Sequence, residues 1–452
     1  MSKRHAATIA ARAGIAQDTA FNAVTPPLYL TSTYELQAFG QAGPYDYSRS
    51  NNPTRDLLAE TLAELEAGVK AIVTSTGMSA CLLALQLLTP DDTLVIPHDC
   101  YGGSYRLFTN LAQRKNAFKL LVVNFQQAGW AEQIRSVAPK MIWLETPSNP
   151  LLQITDVRAV CQLAKQLQAL VVVDNTFLSP VLQQPLALGA DIVVHSTTKY
   201  INGHSDIVGG VLVCNNQQLG DELKWWANCL GITGAPFDSY MTLRGLRTLE
   251  PRIRLQQDNT AKVVDFLAKQ PLVAKVYYPG LPEHPGHAIA KAQQSGFGAM
   301  CSFDLAVEQA LLPVFFQALN LFTLAQSLGG IESLICHPGT MTHASRDAKA
   351  QQTAGIGPTL IRLSVGIENP DDLLADLQQV MEQDVSLEQM AGLLQRGADA
   401  AVYAKTLIEQ QGLEQALQTL KQMAIASQQF AQQDLGAHLQ QLVASCPTKP
   451  AE

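Results

Sequence analysis

The sequence lacks the features that mark several common classes of protein. Its eight cysteines include no pair with CxxC spacing; they stand at positions 81, 100, 161, 214, 229, 301, 336 and 446. This spacing supports neither a zinc site nor a disulfide framework, so we expect reduced thiols and a cytoplasmic location. No stretch of membrane-spanning length is free of polar residues, and the N-terminal MSKRHAATIAARAG lacks the apolar run of a secretory signal.

Charged residues are also scarce. They make up 15% of the 452 residues, the formal net charge is −8, and no dense Lys/Arg tract is present. Because an acidic chain repels phosphate backbones, we expect no nucleic-acid partner. Hydrophobic residues make up 47% of the chain and the mean hydropathy is +0.05. These values are typical of a globular protein with large buried elements, and the length predicts two or three domains.

Residues 51–247 alternate apolar runs with helical patterns. The runs KAIVTST, DTLVIPH, KMIWLET, ALVVVDNT, ADIVVHS and IVGGVLVCN predict strands buried on both faces. Helices are predicted between them, including one capped by Asn52, with Pro53 in its first turn and Gly68 at its end, and another over PVLQQPLALG. The alternation predicts an α/β domain whose mainly parallel sheet is covered by helices on both sides.

Three other segments flank or follow this domain. Residues 1–50 are irregular and cannot form a core of their own, so we expect an N-terminal arm that wraps around something else, such as a second subunit. Residues 248–385 predict a smaller α/β domain closed by a helix that Asn369 caps and Pro370 begins. Residues 386–452 hold two amphipathic, Gln- and Ala-rich stretches separated at Gly412, which predict a helical extension for packing or oligomerisation.

Chemistry-bearing residues occur at the ends of three predicted strands, where ligands bind in α/β sheets. Gly77, in TSTGMSA, lies where a strand gives way to a helix whose free N–H groups favour an anion, although an ordinary capped turn explains it equally. Asp174 ends a run of three valines and is either a helix cap or a buried acid with a cationic partner. Lys199, in HSTTKY, either reaches solvent or has a depressed pKa and acts as a nucleophile.

Together the three segments fit one ligand, pyridoxal phosphate. This cofactor needs an amine for its aldehyde, an acid for its pyridinium nitrogen and a cup for its phosphate. Lys199 supplies the amine and Asp174 the acid. The residues that we expect to form the phosphate cup are Gly77, Met78, Ser196 and Thr198.

Longer motifs connect these residues with a known family. The segments DYSRSNNPTRDLLAETLAELE, PHDCYGGSYRLF, ETPSNPLL, VVVDNTFLSPVLQQPLALGADIVVHSTTKYINGHSDIVGG and SLGGIESLICHPGTMTHA resemble the Cys/Met-metabolism pyridoxal-phosphate enzymes over roughly residues 5–385. The resemblance implies the fold of PLP-dependent transferases (aspartate aminotransferase-like). It also implies amino-acid substrates and a homo-oligomer, expected as a homotetramer whose active sites are shared between subunits.

The same resemblance assigns roles to individual residues. It implies that Lys199 holds the cofactor and later moves protons, and that Tyr101 stacks on the ring and assists amine activation. Asn149 is expected near the ring hydroxyl. Arg362 is expected to clamp the substrate carboxylate, although its pattern alone fits an exposed edge arginine equally. The remaining assignments are Tyr47 and Arg49 to the phosphate of a neighbouring subunit, Ser327 to the support of Arg362, and Arg106 and Asp46 to the substrate channel.

PHDCYGGSYRLF and KWWANCLGITGAPFDSYMTLRGLRTL point to the branch that exchanges the acyloxy group of an O-acyl-L-homoserine, expected to be O-succinyl, for L-cysteine in methionine biosynthesis. Two departures bear on this assignment: Ser50 stands where that branch has a second arginine, and Gln326 stands where the family has a glutamate. The alternatives are a γ-lyase, an O-acylhomoserine sulfhydrylase, and an inactive scaffold that uses the C-terminal helices.

The histidines do not suggest a metal site. None of them forms a helical i, i+4 pair with a nearby acid; they include His98, His195, His204, His337 and His343. We expect these side chains in packing and loop roles, and no bound metal.

Overall fold

The computed structural model describes residues 4–382 except 42, 308, 345–350 and 353. The predicted helical extension, 386–452, lies outside the described residues. None of the helices in the described part of the chain combines the length and the hydrophobicity that a membrane crossing requires.

The larger of two sheets has seven strands in the order β1-β7-β6-β5-β4-β2-β3. Its strands are β1 (Lys70–Thr74), β2 (Thr93–Pro97), β3 (Lys119–Val123), β4 (Met141–Glu145), β5 (Leu170–Asp174), β6 (Ile192–Ser196) and β7 (Gly210–Cys214). Only β7 runs antiparallel to its neighbours β1 and β6. The mainly parallel sheet predicted from the continuous apolar runs is confirmed.

Helices cover both faces of this sheet. They are α1 (Ala6–Ala11), α2 (Pro53–Leu65), α3 (Gly77–Ala84), α4 (Gly102–Lys115), α5 (Trp130–Val137), α6 (Val157–Leu167), α7 (Ser179–Leu182), α8 (Pro185–Leu188), α9 (Gln217–Leu230) and α10 (Pro236–Leu246). One face packs against α3, α4 and α9. The opposite face packs against α2 and α10 at one side and against α5 and α6 at the other.

The smaller sheet has five strands in the order β10-β11-β12-β9-β8. Its strands are β8 (Val273–Tyr277), β9 (Met300–Leu305), β10 (Thr323–Leu324), β11 (Leu334–Cys336) and β12 (Leu360–Ser364). The helices around it are α11 (Leu249–Leu267), α12 (His287–Gln293), α13 (Leu312–Ala318) and α14 (Pro370–Glu382). Strand β12 lies between β11 and β9, so Arg362 is an interior residue with 2% of its surface exposed, not an edge arginine.

Local signals agree with the structure at most, but not all, positions. The side chain of Asn52 accepts hydrogen bonds from the N–H groups of Thr54 and Arg55 and caps α2, as predicted. The single helix predicted over PVLQQPLALG is wrong, because the segment forms two four-residue helices, α7 and α8. Gln183 and Gln184 leave the helical region between them. Pro185 is the cause, since proline disfavours a helical conformation in the residue before it.

The two sheets occupy residues 70–214 and 273–364. The boundaries proposed at 50/51, 247/248 and 385/386 stay a prediction. What matters for the site is that β4, β5 and β6 are parallel neighbours whose carboxyl ends meet at one edge.

Candidate active site

A cavity of about 340 Å³ opens at the carboxyl ends of β4, β5 and β6 and extends to the smaller sheet. This volume is in the range of small-molecule sites. Eleven of the residues proposed from the sequence line it: Gly77, Met78, Tyr101, Asn149, Asp174, Ser196, Thr198, Lys199, Gln326, Ser327 and Arg362. Side chains that are far apart in the chain thus face one space.

Lys199 follows β6, and its amine lies inside the protein instead of in solvent. Its Nζ donates a hydrogen bond to Ser327 Oγ at 2.7 Å. Burial, and secondarily the positive charge of Arg362, lowers the pKa of Lys199 to about 8. The amine is therefore partly neutral near physiological pH, which is the state that attacks a carbonyl carbon.

Asp174, the last residue of β5, accepts hydrogen bonds at Oδ1 from the N–H of Thr176 at 3.0 Å and from its Oγ1 at 2.5 Å. These bonds form a local turn and do not cap a helix. Burial raises the pKa of Asp174, and the hydrogen bonds from Thr176 and the charge of His195 offset part of that rise. A buried carboxyl in this position would be stabilised in its ionised form by a cation in the cavity, such as the protonated ring nitrogen expected from the sequence.

The expected phosphate cup lies at the start of α3. Thr76 caps this helix by accepting a hydrogen bond from the N–H of Ser79 at 2.9 Å. The alternative explanation of TSTGMSA, an ordinary capped turn, is therefore also correct. A Cβ at Gly77 would lie 2.8 Å from Ser196 Cβ and 3.0 Å from its Cα. Glycine is therefore needed for the close approach of α3 to β6, which brings the N–H groups of a helix start beside two hydroxyl side chains.

Arg362 is held by a fixed set of partners at the other end of the cavity. Its Nη1 donates to Asn149 Oδ1 at 2.9 Å and its Nη2 donates to the Ser327 carbonyl at 2.8 Å. Its buried Nε has no hydrogen-bond partner among the described residues. Ser327 has φ of +93°, a strained conformation for a residue with a side chain, and such strain is often found at functional sites. A fixed guanidinium with an unused donor suits an anionic ligand group.

Tyr101 immediately precedes α4 and is 42% exposed at the cavity wall. Its backbone N–H donates to Glu145 Oε2 at 2.7 Å. Glu145 lies at the end of β4, in register with Asp174, and also lines the cavity. Glu145 was not predicted as a site residue, although it resembles Asp174 in being an acid that ends an apolar run.

Four proposed site residues do not line the cavity of the single chain. Tyr47 is 46% exposed, and Arg49 donates to the backbone carbonyl and to Oδ1 of Asn228, both at 2.9 Å. Asp46 is exposed and accepts the N–H of Tyr47. Arg106 is exposed on α4. The roles of Tyr47 and Arg49 toward the phosphate of a neighbouring subunit, and of Arg106 and Asp46 in the substrate channel, stay predictions.

The histidines named in the sequence analysis have local partners or packed positions. His195 Nε2 lies 2.5 Å from Glu66 Oε1. The two ring nitrogens of His337 form hydrogen bonds with the Thr340 hydroxyl and the Pro358 carbonyl. His204 bonds the carbonyl of Asn202. Within the described ranges, no group of three or more His, Cys, Asp or Glu side chains is placed to hold a metal.

A family comparison agrees with this geometry. Residues 7–382 match the family described as Cys/Met metabolism PLP-dependent enzyme. The chain therefore belongs to the pyridoxal-phosphate enzymes of cysteine and methionine metabolism, and pyridoxal phosphate is its cofactor.

Individual relatives span several reactions. The chain is 52% identical over 376 residues to cystathionine γ-synthase of Escherichia coli K12, covering 83% of this chain and 97% of that protein. It is 44% identical to cystathionine β-lyase of Coxiella burnetii, over 84% of this chain and 98% of that one. Among solved structures, cystathionine γ-synthase of Xanthomonas oryzae pv. oryzae, in complex with aminoacrylate and cysteine, has 54% identity and a TM-score of 0.84, covering 85% of this chain and 99% of that chain.

Proposed function

We propose that the protein is a cystathionine γ-synthase, which replaces the acyloxy group of an O-acyl-L-homoserine, O-succinyl in the first instance, by L-cysteine to give L-cystathionine. The observation that supports an α-amino acid as the substrate is the placement of Arg362 beside Lys199 in one cavity. The 52% identity to the E. coli synthase, compared with 44% to the β-lyase, favours the synthase reaction.

The donor amino acid has two ends for the chain to bind. Its α-carboxylate fits the guanidinium of Arg362, which Asn149 and the Ser327 carbonyl hold in one orientation. Its amine then points toward Lys199, whose Nζ is fixed by Ser327 Oγ. Ser327 touches both cationic groups and thereby sets their relative position. This arrangement binds α-amino acids without specifying what leaves from Cγ.

Lys199 is suited to move protons at Cα and Cβ of the substrate. With its pKa lowered to about 8, the amine both accepts and returns a proton near neutral pH. Bound pyridoxal phosphate supplies an aldehyde for amines and a ring that withdraws the negative charge that forms when Cα loses its proton. Asp174 keeps that ring nitrogen protonated. Tyr101, at the cavity wall, would stack on the ring.

The proposal includes an oligomer, because the N-terminal arm has surfaces that a neighbouring subunit would cover. The N-terminal arm exposes large apolar side chains, including Phe21 at 89%, Val24 and Leu30 at 68% each, and Phe39 fully. Several large exposed apolar side chains in one segment are consistent with a protein interface. We infer a homotetramer in which Tyr47 and Arg49 reach the phosphate of a neighbouring subunit. Light scattering of the purified chain measures the assembly, and a monomer with full activity contradicts it.

The second candidate is a related reaction of the same family. It is favoured by the two positions, Gln326 and Ser50, at which this chain differs from the expected pattern. Gln326 is exposed at the cavity rim, where a glutamate would add charge and a base. Ser50 lines a separate pocket with Arg55 and Lys224. A solved relative, cystathionine γ-lyase of Lactobacillus plantarum, has 38% identity and a TM-score of 0.80, and aligns with 84% of this chain and 99% of that one. Elimination by a γ- or β-lyase, or sulfide transfer by a sulfhydrylase, are the alternative outcomes.

The test is product analysis. The purified holoenzyme is incubated with O-succinyl-L-homoserine, with and without L-cysteine, and cystathionine and 2-oxobutyrate are quantified. We expect cystathionine to dominate when cysteine is present. Exclusive 2-oxobutyrate, or pyruvate from added cystathionine, assigns the chain to a lyase and refutes the proposal. Turnover only with O-acetyl-L-homoserine changes the assigned donor from the O-succinyl to the O-acetyl ester. Turnover only with sulfide in place of cysteine changes the assigned acceptor.

A variant separates chemistry from assembly. Lys199→Ala is expected to abolish turnover and to leave the oligomer intact, because the amine lies inside the cavity. Full activity in this variant refutes the site assignment. A chain that cannot be loaded with pyridoxal phosphate supports the scaffold alternative. A place in methionine biosynthesis and a cytoplasmic location belong to the same proposal.

A further inference from the structure

A second polar cluster lies behind the sheet, outside the cavity. Glu66 directly follows α2, and its Oε1 lies 2.5 Å from His195 Nε2 on β6. The same oxygen accepts a hydrogen bond from Asn175 Nδ2 at 3.0 Å. Glu66 and Asn175 are completely buried and His195 is 1% exposed. Neither the cofactor assignment nor the proposed reaction explains why an acid and an imidazole are placed here.

This position is unfavourable for a carboxylate unless a cation balances it. The C-terminal end of a helix carries partial negative charge, so an acid there is repelled, and a fully buried carboxylate also loses its hydration. Within the part of the chain that the structure describes, Glu66 has its ion-pair contact with His195. Oε1 of Glu66 is satisfied by His195 and Asn175, whereas Glu66 Oε2 and His195 Nδ1 have no hydrogen-bond partner among the described residues.

The pair is connected with Asp174 through β5 and β6. Asp174 pairs in register with Val194, so the next residues are Asn175, directly after β5, and His195 on β6. Val194 packs on the cavity side of the sheet, whereas Val193 packs on the side of α2. Because side chains alternate along a strand, His195 lies on the back of the sheet and Asp174 on the front.

Asn175 fixes the turn that carries Asp174. Its N–H donates to the Val194 carbonyl at 3.0 Å, and its Nδ2 donates to both Glu66 and the Gln183 carbonyl. Its Oδ1 accepts from Gln183 Nε2 at 3.0 Å. The residue that follows the cofactor acid is thus anchored on the far side of the sheet, and Glu66 is one of the anchors.

We propose that Glu66 is a positioning residue for the cofactor: through Asn175 it fixes the turn of Asp174, and through its contact with His195 it holds that imidazole on the back of the sheet behind Asp174. The charge of His195 counteracts the effect of burial on the pKa of Asp174, which agrees with this arrangement. The proposal concerns the binding of pyridoxal phosphate and holds for whichever reaction the enzyme performs.

A double-mutant cycle tests the proposal. Glu66→Gln keeps a side-chain oxygen for Asn175 and removes the charge, and it is made in the wild-type chain and in Asp174→Asn. The dissociation constant of pyridoxal phosphate is measured for the four apo-proteins by titration, together with the visible absorption band of the bound cofactor. We expect a loss of affinity of about tenfold from Glu66→Gln in the wild-type chain, the size associated with one ionic hydrogen bond.

The same substitution is expected to have no further effect in Asp174→Asn, since coupled residues are not additive. Equal losses in both backgrounds, or no loss in the wild type, overturn the proposal. Asp376→Asn is the matched control, because Asp376 is a buried carboxylate that accepts backbone N–H bonds in the smaller domain. It is expected to leave cofactor affinity unchanged. If Glu66→Gln does not fold, His195→Gln takes its place in the cycle with the same expectation.

Discussion

The amine of Lys199 offers a quantitative test of the electrostatics of the cavity. Its pKa is about 8, compared with 10.5 for an ordinary lysine, and the causes are burial first and the charge of Arg362 second. At pH 7 this shift leaves about 300-fold more neutral amine than an unperturbed lysine has. The rate at which the apo-protein attaches pyridoxal phosphate should therefore rise with pH and level off above a midpoint near 8.

Arg362→Gln removes the second cause and leaves the first. The total shift from 10.5 to about 8 is about 2.5 pH units, and the smaller contributor accounts for less than half of it. We therefore expect the midpoint to move upward by at most about one unit and to stay well below 10.5, because burial of Lys199 is unchanged.

The assay is stopped-flow absorbance of cofactor attachment to the apo-protein between pH 6 and 10. Nα-acetyl-lysine, whose side-chain amine is free, serves as the reference amine. Its reaction with pyridoxal phosphate at each pH corrects for titration of the cofactor itself. Arg254→Gln, which removes an exposed guanidinium paired with Glu250, is the control variant. A wild-type midpoint near 10 refutes the argument from burial. An unchanged midpoint in Arg362→Gln refutes the electrostatic contribution of that arginine.

Three further expectations follow from the same geometry. Lys199→Met should increase the free energy of unfolding of the apo-protein at pH 7 by about 1–3 kcal/mol, because the buried amine binds its proton more weakly than it does in the unfolded chain. The gain in stability should shrink between pH 8 and 10.5, as the amine loses its proton in the unfolded chain as well. Urea unfolding measures the gain, and its absence at pH 7 contradicts the expectation. Gly77→Ala should weaken cofactor binding by about 1–3 kcal/mol in a titration, because its Cβ meets Ser196, whereas Gly357→Ala, with no atom closer than 3.5 Å, should bind normally. Arg362→Lys should raise KM for the donor amino acid about tenfold or more and change kcat less, since lysine lacks the planar fork; an unchanged KM would refute the clamp.

Much of the architecture could be predicted from local patterns. Buried strands appear as continuous apolar runs because both faces of the sheet are covered, and Asn52 followed by Pro53 marks the start of α2. Weaker patterns were missed: no element was assigned to residues 119–123, where β3 forms, or to α5. Strand β3 lies at the sheet edge, where its side chains are partly exposed and the apolar signal is diluted.

The sequence by itself determined the cofactor chemistry. A lysine, an acid and a glycine turn at three strand ends together predict a pyridoxal-phosphate site, because strands that run in the same direction end at one edge of a sheet. Only the tertiary structure decided how the substrate end of the cavity is built. Asn149 and Arg362 are 213 residues apart and meet because the smaller sheet packs against the strand ends of the larger one. The Glu66–His195 pair is a contact of the same kind, since helix and strand positions 129 residues apart become neighbours only when α2 covers the back of the sheet.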